Sequence, residues 1–145
     1  MTQKIILSIV AIIMLVSAFN KGDKLTTILT FGLTIGFLIT WIDVPTIIMV
    51  GMIIYMLTAL SISLASLRSK ELTIFNRTTI ILTGLLAFVA NLFSIMYWPY
   101  AGAIRLSLIV PIILYTTSLF KGMTTRKEFG YLTIMNIEFI LRFIR

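Results

Sequence analysis

The sequence predicts an all-α, polytopic integral membrane protein, with five transmembrane helices and a C-terminal helix that is either interfacial or a short sixth span. Hydrophobic residues make up 59% of the 145 residues and charged residues only 12%, and the mean hydropathy is +1.10. A soluble domain carries about twice as many charged residues and could not bury this much apolar surface. Several apolar runs approach the roughly 20 residues that a membrane-spanning helix needs. These observations exclude a soluble globular domain and a disordered chain.

Polar and helix-breaking residues divide the apolar sequence into separate runs. The five predicted spans are 5–19, 25–41, 46–67, 78–97 and 103–120, and together with the C-terminal helix they form a single membrane domain. The first run also resembles a signal peptide, because Lys4 precedes it and small residues lie near its end. We expect this run to be retained as an anchor helix.

The last apolar stretch, 129–144, is predicted to be a helix but not a simple span, since a helix of that length reaches only about 24 Å. Glu138, Arg142 and the following Arg145 fall within about 60° of one another on a helical wheel. Glu138 and Arg142 also have the i, i+4 spacing of an ion pair. A narrow charged stripe on an apolar helix favours a position in the membrane interface or against a partner over a lipid-facing sixth span.

The basic residues are concentrated in alternate loops, which predicts the orientation of the chain. Those of the first, third and fifth loops are Lys21, Lys24, Arg68, Lys70, Arg77, Lys121, Arg126 and Lys127. The positive-inside rule makes these loops cytoplasmic and the N-terminus external. The other two turns carry Trp41, Tyr97, Trp98 and Tyr100, as expected for an aromatic belt. The predicted location is the bacterial cytoplasmic (inner) membrane.

The net charge of +7 is therefore mainly a signal of orientation. It predicts contacts with anionic lipid headgroups on the cytoplasmic side and no binding of nucleic acid. Each basic loop also places an acid near the start of the next helix, and these acids are Asp23, Glu71 and Glu128. The preference of helix N-termini for negative charge explains this pattern without an internal duplication.

The composition argues against an enzyme. The chain contains no cysteine and no histidine, which removes the usual thiolate nucleophile, the commonest general base and the commonest metal ligands. It has no glycine-rich phosphate loop. We therefore expect no catalytic residue, no cofactor and no metal site. Proton-coupled carriers place a carboxylate within the membrane, and only Glu138 could lie at such a depth, provided that its segment spans.

Two polar features in the predicted spans suggest contacts between helices. Asp43 is the only acid on the predicted external side, and Arg105 is the only base there apart from Lys4. An Asp43–Arg105 ion pair at the outer face would either form a solute site or tie two external turns together. Asn91 lies near the middle of the fourth span, where its amide should bond to a neighbouring helix.

Glycine and proline mark two further positions. Gly32 and Gly36 form a GxxxG motif in the second span, which lets another helix approach closely. Pro111 lies within the fifth span and cannot donate a hydrogen bond to the carbonyl of Ser107, so it is expected to kink that helix. Such kinks occur both in gated transporters and in static bundles.

Two main functions remain after these exclusions, and a weaker third is a lipid-modifying enzyme that acts on outer headgroups near Asp43, Tyr97 and Trp98. The favoured one is a small, non-catalytic accessory subunit that packs within a larger membrane complex, with other membrane subunits as its partners. It is supported by the small-residue motif, the short charged C-terminal helix and the lack of catalytic groups. The alternative is a small carrier or channel for a neutral or anionic solute, possibly homo-oligomeric, which would use Arg105, Asn91 and the kink at Pro111.

Overall fold

The described residues form seven α-helices. The computed structural model describes residues 2–21, 23–97 and 99–144. The helices are α1 (Thr2–Lys21), α2 (Lys24–Ile39), α3 (Pro45–Arg68), α4 (Ile74–Met96), α5 (Ala101–Ser107), α6 (Ile109–Phe120) and α7 (Phe129–Ile144), with a short 3₁₀ turn (Met123–Thr125) before α7. Long apolar helices confirm the predicted class of helical membrane protein.

Four stretches of helix in the described ranges are long and apolar enough to cross a membrane. They are Thr2–Lys21, Pro45–Arg68, Ile74–Met96 and Gly102–Phe120. The second predicted span forms α2, which has only 16 residues and ends at Ile39. Because a helix rises about 1.5 Å per residue, α2 measures about 24 Å against a hydrocarbon core of roughly 30 Å. The predicted count of five spans is therefore not confirmed.

Short loops make successive helices antiparallel, except that α6 continues the direction of α5, so the bundle has two ends. The basic end consists of Lys21, Asp23 and the loops 69–73 and 121–128. The aromatic end consists of the loop 40–44, the turn at 97–100, the start of α1 and the end of α7. Trp41 lies there with its indole Nε1 donating to Ser8 Oγ at 2.8 Å, and Tyr97 and Tyr100 are exposed. Trp98 lies outside the described residues.

The C-terminal helix α7 lies inside the bundle, which corrects the preference for an interfacial or partner-packed helix. It packs against α1, α2, α4, α5 and α6. Gln3 at the start of α1 donates to the carbonyl of Leu141 at 3.3 Å, and Lys21 at the end of α1 donates to that of Arg126 at 2.9 Å. The helix therefore runs antiparallel to α1 from the basic end to the aromatic end.

Burial explains why α7 takes the central position. Every residue from 130 to 136 is buried, followed by Glu138 and Phe139, so no face of this part of the helix is left for lipid or water. Its length is 16 residues, the same as that of α2 and less than those of α1 and α4. The charged stripe found in the sequence faces groups of the same chain. Arg145, the third member of that stripe, lies outside the described residues.

The GxxxG motif brings α2 and α3 into backbone contact within the chain. A Cβ on Gly36 would lie 2.7 Å from the backbone nitrogen of Tyr55 and 3.0 Å from the carbonyl oxygen of Gly51. A Cβ on Gly32 would lie 2.8 Å from Thr58 Oγ1. Only glycine at position 36 permits this approach, because the atoms that a Cβ would meet belong to rigid backbone. The contact also sets the position of Tyr55, which lines the site described below.

The basic end is held by charged groups from three loops. Lys127 Nζ lies 3.2 Å from a carboxylate oxygen of Glu71 and 3.9 Å from one of Asp23. Arg126 donates to the carbonyl of Glu71 at 3.2 Å. Asp23 also forms the N-cap of α2, where its carboxylate accepts from the backbone N–H of Thr26 at 3.1 Å. The acid therefore sits at a helix N-terminus, as the dipole argument requires.

Replacing the cap of α2 should produce a small, pH-dependent loss of stability. We expect Asp23→Ala to lower the free energy of unfolding by about 1 kcal/mol at neutral pH. The hydrogen bond from the Thr26 hydroxyl lowers the pKa of Asp23. Because its folded pKa lies below the unfolded value, this stabilisation is present at neutral pH and is lost as the pH falls through the folded pKa. Unfolding measured in mixed detergent micelles at neutral and acidic pH tests this.

Asp23→Asn is the matched control for that measurement. Asparagine caps helices about as well as aspartate but does not ionise. The Asn variant should therefore retain most of the neutral-pH stability and lose the acid dependence that Asp23 contributes. An equal loss in the Ala and Asn variants would show that charge, and not the cap, accounts for the effect.

Candidate functional site

A buried ion pair on α7 is the centre of the candidate site. Glu138 and Arg142 are one helical turn apart, and Arg142 Nη2 and Nε lie 2.7 and 2.9 Å from Glu138 Oε1. Glu138 is buried, with a relative exposure of 9%, and the Arg142 side chain is 28% exposed. The i, i+4 spacing noted in the sequence thus forms a real pair, placed among the helices of this chain.

Residues of α4 use the remaining donors of Arg142. Arg142 Nη2 donates to Asn91 Oδ1 at 2.6 Å, and Nη1 donates to Ser94 Oγ at 3.2 Å. Asn91 is itself buried, and its amide nitrogen donates to the carbonyl of Ala87 at 2.8 Å. Asn91 therefore joins α4 to α7, which is the type of contact expected from an amide in the middle of an apolar run. Every nitrogen of the guanidinium has a partner.

A cavity of about 250 Å³ lies beside this pair and reaches the aromatic end. Its walls are mainly apolar and include Leu7, Phe37, Ile48, Met52 and Leu141. Its polar lining comes from Gln3, Lys4, Thr40, Tyr55, Asn91, Glu138 and Arg142. Lys4 lies near its mouth, where Nζ donates to the carbonyl of Thr40 at 3.1 Å. The volume approaches the lower limit of small-molecule pockets, about 300 Å³.

Two buried polar atoms in the lining of this cavity have no hydrogen-bond partner among the described residues. They are Tyr55 Oη and Glu138 Oε2. Tyr55 is held on α3 at the contact with Gly36, and Glu138 uses only its other oxygen, Oε1, to bind Arg142. Since buried polar groups are nearly always satisfied, these two atoms are available to a proton, a water or a solute in the cavity.

A second cavity, of about 470 Å³, also borders Arg142. Its lining comes from α3, α4, α5, Leu108 and α7, and includes Met52, Ala90, Phe93, Ser94, Ile104, Arg105, Leu108 and Arg142. Met52 and Arg142 line both cavities. Arg142 therefore stands between two spaces that together carry Lys4, Arg105 and Glu138 on their walls.

The fifth predicted span is interrupted beside this second cavity. Leu108 separates α5 from α6, with ψ at −13°, away from the α-helical value of about −42°. The interruption falls directly after Ser107, the residue whose carbonyl cannot receive a hydrogen bond from Pro111. Pro111 itself is buried. Helical hydrogen bonds continue across it, from Leu108 N to the carbonyl of Ile104 at 3.2 Å and from Ile112 N to that of Leu108 at 3.4 Å, so the irregularity beside Pro111 is local.

The predicted Asp43–Arg105 pair does not form. Arg105 donates from Nη2 to the carbonyl oxygen of Phe143, and its guanidinium carbon lies 6.0 Å from the centre of the Phe143 ring. Asp43 is exposed in the loop between α2 and α3. The physical reason is the placement of α5, which packs on α4, α6 and α7. Arg105 thereby meets the C-terminal carbonyls of α7, a favourable position for a cation.

Sequence reasoning therefore identified part of the site. Asn91, Arg105, Glu138 and Arg142 were singled out, although in separate roles, and the structure brings them around the two cavities. Tyr55 and Ser94 were missed, because a tyrosine or serine inside an apolar run carries no signal of what it faces. Gly32 and Gly36 act in packing, outside the ion cluster, although Gly36 also lines the first cavity.

Searches of family models, curated proteins and solved structures find no match to this chain.

Proposed function

We propose that this protein is a small membrane carrier for an anionic solute, which it binds in the cavities at the aromatic end. The observation that supports the proposal is the surplus of positive charge among the residues that line the two cavities. Lys4, Arg105 and Arg142 face the two cavities, whereas Glu138 is the one carboxylate among the described residues that line them. A concave surface with low-dielectric walls and surplus positive charge concentrates anions. The apolar walls favour an anion with a small apolar body.

The broken fifth helix supports transport more than static binding. Leu108 lines the second cavity, and α5 has only seven residues between the turn at the aromatic end and this break. A helix with a local irregularity beside a proline can bend at that point. Movement of α5 would open or close the space beside Arg142.

The membrane placement that accompanies this function follows from the charges. We propose that α1 to α4 and the combined α5–α6 cross the bacterial cytoplasmic membrane as five spans, with α7 enclosed between them. The basic end then faces the cytoplasm, near anionic headgroups, and the N-terminus and the aromatic end are external. Under this arrangement the solute site opens toward the outside.

Neutralising the cations of the lining should reduce solute uptake. In liposomes that contain the purified protein, we expect uptake of radiolabelled hexanesulfonate, which remains a monoanion throughout the usual pH range. Lys4→Gln and Arg105→Gln should each lower uptake by about tenfold, because each removes one attractive charge from the path. The control is Lys70→Gln, an exposed cation at the opposite end, which should leave uptake unchanged. Equal uptake in all variants, or none above protein-free liposomes, would contradict the proposal.

The accessory-subunit role stays a prediction. Two features that supported it, the GxxxG motif and the charged stripe of α7, make contacts within this chain. Gentle detergent extraction followed by mass spectrometry tests it separately, since reproducible copurification of one other membrane chain in stoichiometric amount would favour that role.

A further inference from the structure

Arg142 has no free hydrogen-bond donor while Glu138 is ionised. Its Nε and Nη2 bind Glu138 Oε1, Nη2 also binds Asn91, and Nη1 binds Ser94 and, at 3.5 Å, the carbonyl of Ala90. Glu138 is the anionic one of these partners, so an anion that enters the cavity competes with its carboxylate for the guanidinium. The carboxylate acts as an internal ligand that competes with the solute.

Displacement of an ionised Glu138 would be costly. The displaced carboxylate would remain in a buried, mainly apolar lining beside a second negative charge, that of the solute. A buried charge without a partner costs several kcal/mol, and two carboxylate-like groups at one cation favour protonation of one of them. Uptake of a proton by Glu138 removes this penalty, because the Arg142 guanidinium then again faces a single negative charge, that of the solute.

The structure provides a place for that proton. Glu138 Oε2 and Tyr55 Oη are both buried, both line the cavity and both have no hydrogen-bond partner among the described residues. A proton on Oε2 converts that oxygen into a donor, and the phenol oxygen of Tyr55 can accept from it. Protonated Glu138 therefore has a partner of its own after it has released Arg142.

Among the described residues, few other charged or titratable groups face Glu138. They are Arg142 on its own helix, Lys4 on α1 and Tyr55 on α3, with Arg105 of α5 beyond Arg142, on the second cavity. The parts of α2 and α4 that line the first cavity contribute only uncharged side chains. Glu138 is thus the residue of this site best placed to exchange a proton as the solute binds.

We infer that the anion is carried together with a proton and that Glu138 is the proton-binding residue, an inference that rests on the proposed carrier function. A proton from the aqueous phase binds Glu138 Oε2. The hydrogen bonds from Arg142 Nε and Nη2 pass from Glu138 Oε1 to the anion, and no covalent bond other than the O–H bond is made. On release the anion leaves, the proton dissociates and Arg142 returns to Glu138. The net charge of the site is the same in both states.

Proton linkage can be measured directly on the purified protein in lipid nanodiscs. Calorimetric titration with hexanesulfonate, in buffers of different ionisation enthalpy, gives the number of protons taken up on binding. We expect up to about one proton taken up per anion bound, and binding up to about tenfold tighter for each pH unit lowered. Glu138→Gln should abolish the proton uptake of binding and make the affinity independent of pH.

Glu71→Gln is the matched control, because Glu71 is an exposed carboxylate at the basic end. It should keep both the proton uptake and the pH dependence of the wild-type protein. If the wild-type protein binds no hexanesulfonate at any pH, the carrier function itself is wrong. Binding without proton uptake, or proton uptake that persists in a folded Glu138→Gln protein, would overturn the role of Glu138 alone. If the Glu138→Gln protein does not fold, the number of protons that the wild-type protein takes up per bound anion still tests the proposal.

Discussion

Replacing Arg142 with glutamine should lower the free energy of unfolding by about 2–4 kcal/mol. Removal of one partner of a buried ion pair typically costs about 3–5 kcal/mol, because the other charge stays buried without compensation. The value expected here is somewhat smaller, since the Arg142 side chain is 28% exposed and water can solvate part of the site. Reversible unfolding in mixed micelles, followed by tryptophan fluorescence, measures the change.

Two further variants separate loss of the ion pair from loss of an arginine. Glu138→Gln combined with Arg142→Gln removes both charges and should be more stable than Arg142→Gln alone, because neither side chain leaves an unpaired ion behind. Arg105→Gln removes an arginine that binds only a helix C-terminal carbonyl and one ring, and should cost about 1 kcal/mol or less. Similar losses for Arg142→Gln and Arg105→Gln would show that Glu138 does not depend on Arg142 for its charge.

The helices could be predicted from sequence because charged and helix-breaking residues interrupt the apolar runs. Asp23, Pro45 and the loop 69–73 all lie where one helix ends or the next begins. The exact ends were less well predicted. The second run was predicted to continue to Trp41, whereas α2 ends at Ile39, since the hydropathy of a turn at the aromatic end resembles that of the helix before it.

The position of α7 could not be predicted for a physical reason. Lipid tails and the faces of other helices are both apolar, so hydropathy does not distinguish a helix in lipid from one enclosed by protein. The stripe of Glu138 and Arg142 indicated polar partners but not where those partners lie. Asn91 was predicted to need a hydrogen-bond partner on another helix. A single sequence does not show that this partner is Arg142, which lies 51 positions away.

For Asp43 and Arg105 the sequence predicted a contact that the structure does not contain, whereas for α7 it missed contacts that the structure does contain. These residues were paired because they carry opposite charges on the same predicted side of the membrane. That prediction concerns only their position along the membrane normal and not which helices lie next to each other. In the structure α5 lies against α4 and α7, so Arg105 meets the end of α7. Depth in the membrane was inferred from the sequence, whereas lateral neighbours depend on how the helices pack.

Substitution of Gly36 by alanine should separate α2 from α3 and reduce stability by about 1–3 kcal/mol, the usual cost of overpacking. The added Cβ would lie 2.7 Å from Tyr55 N and 3.0 Å from Gly51 O, and backbone atoms can move aside only if a whole helix shifts. Because Tyr55 lines the cavity, this shift should also weaken binding of hexanesulfonate. Unfolding in mixed micelles and calorimetric titration measure the two effects.

Two other glycines of the chain provide graded controls. A Cβ on Gly32 would meet only the side chain of Thr58, at 2.8 Å from its Oγ1, and a side chain can change rotamer, so Gly32→Ala should cost less than Gly36→Ala. A Cβ on Gly102 would have nothing within 4 Å, and Gly102→Ala should stabilise α5 by up to about 1 kcal/mol through its effect on helix propensity. Equal effects at positions 36 and 102 would mean that α2 and α3 are not in close backbone contact. The position of Tyr55, and with it the proposed partner for the Glu138 proton, would then lose its structural basis.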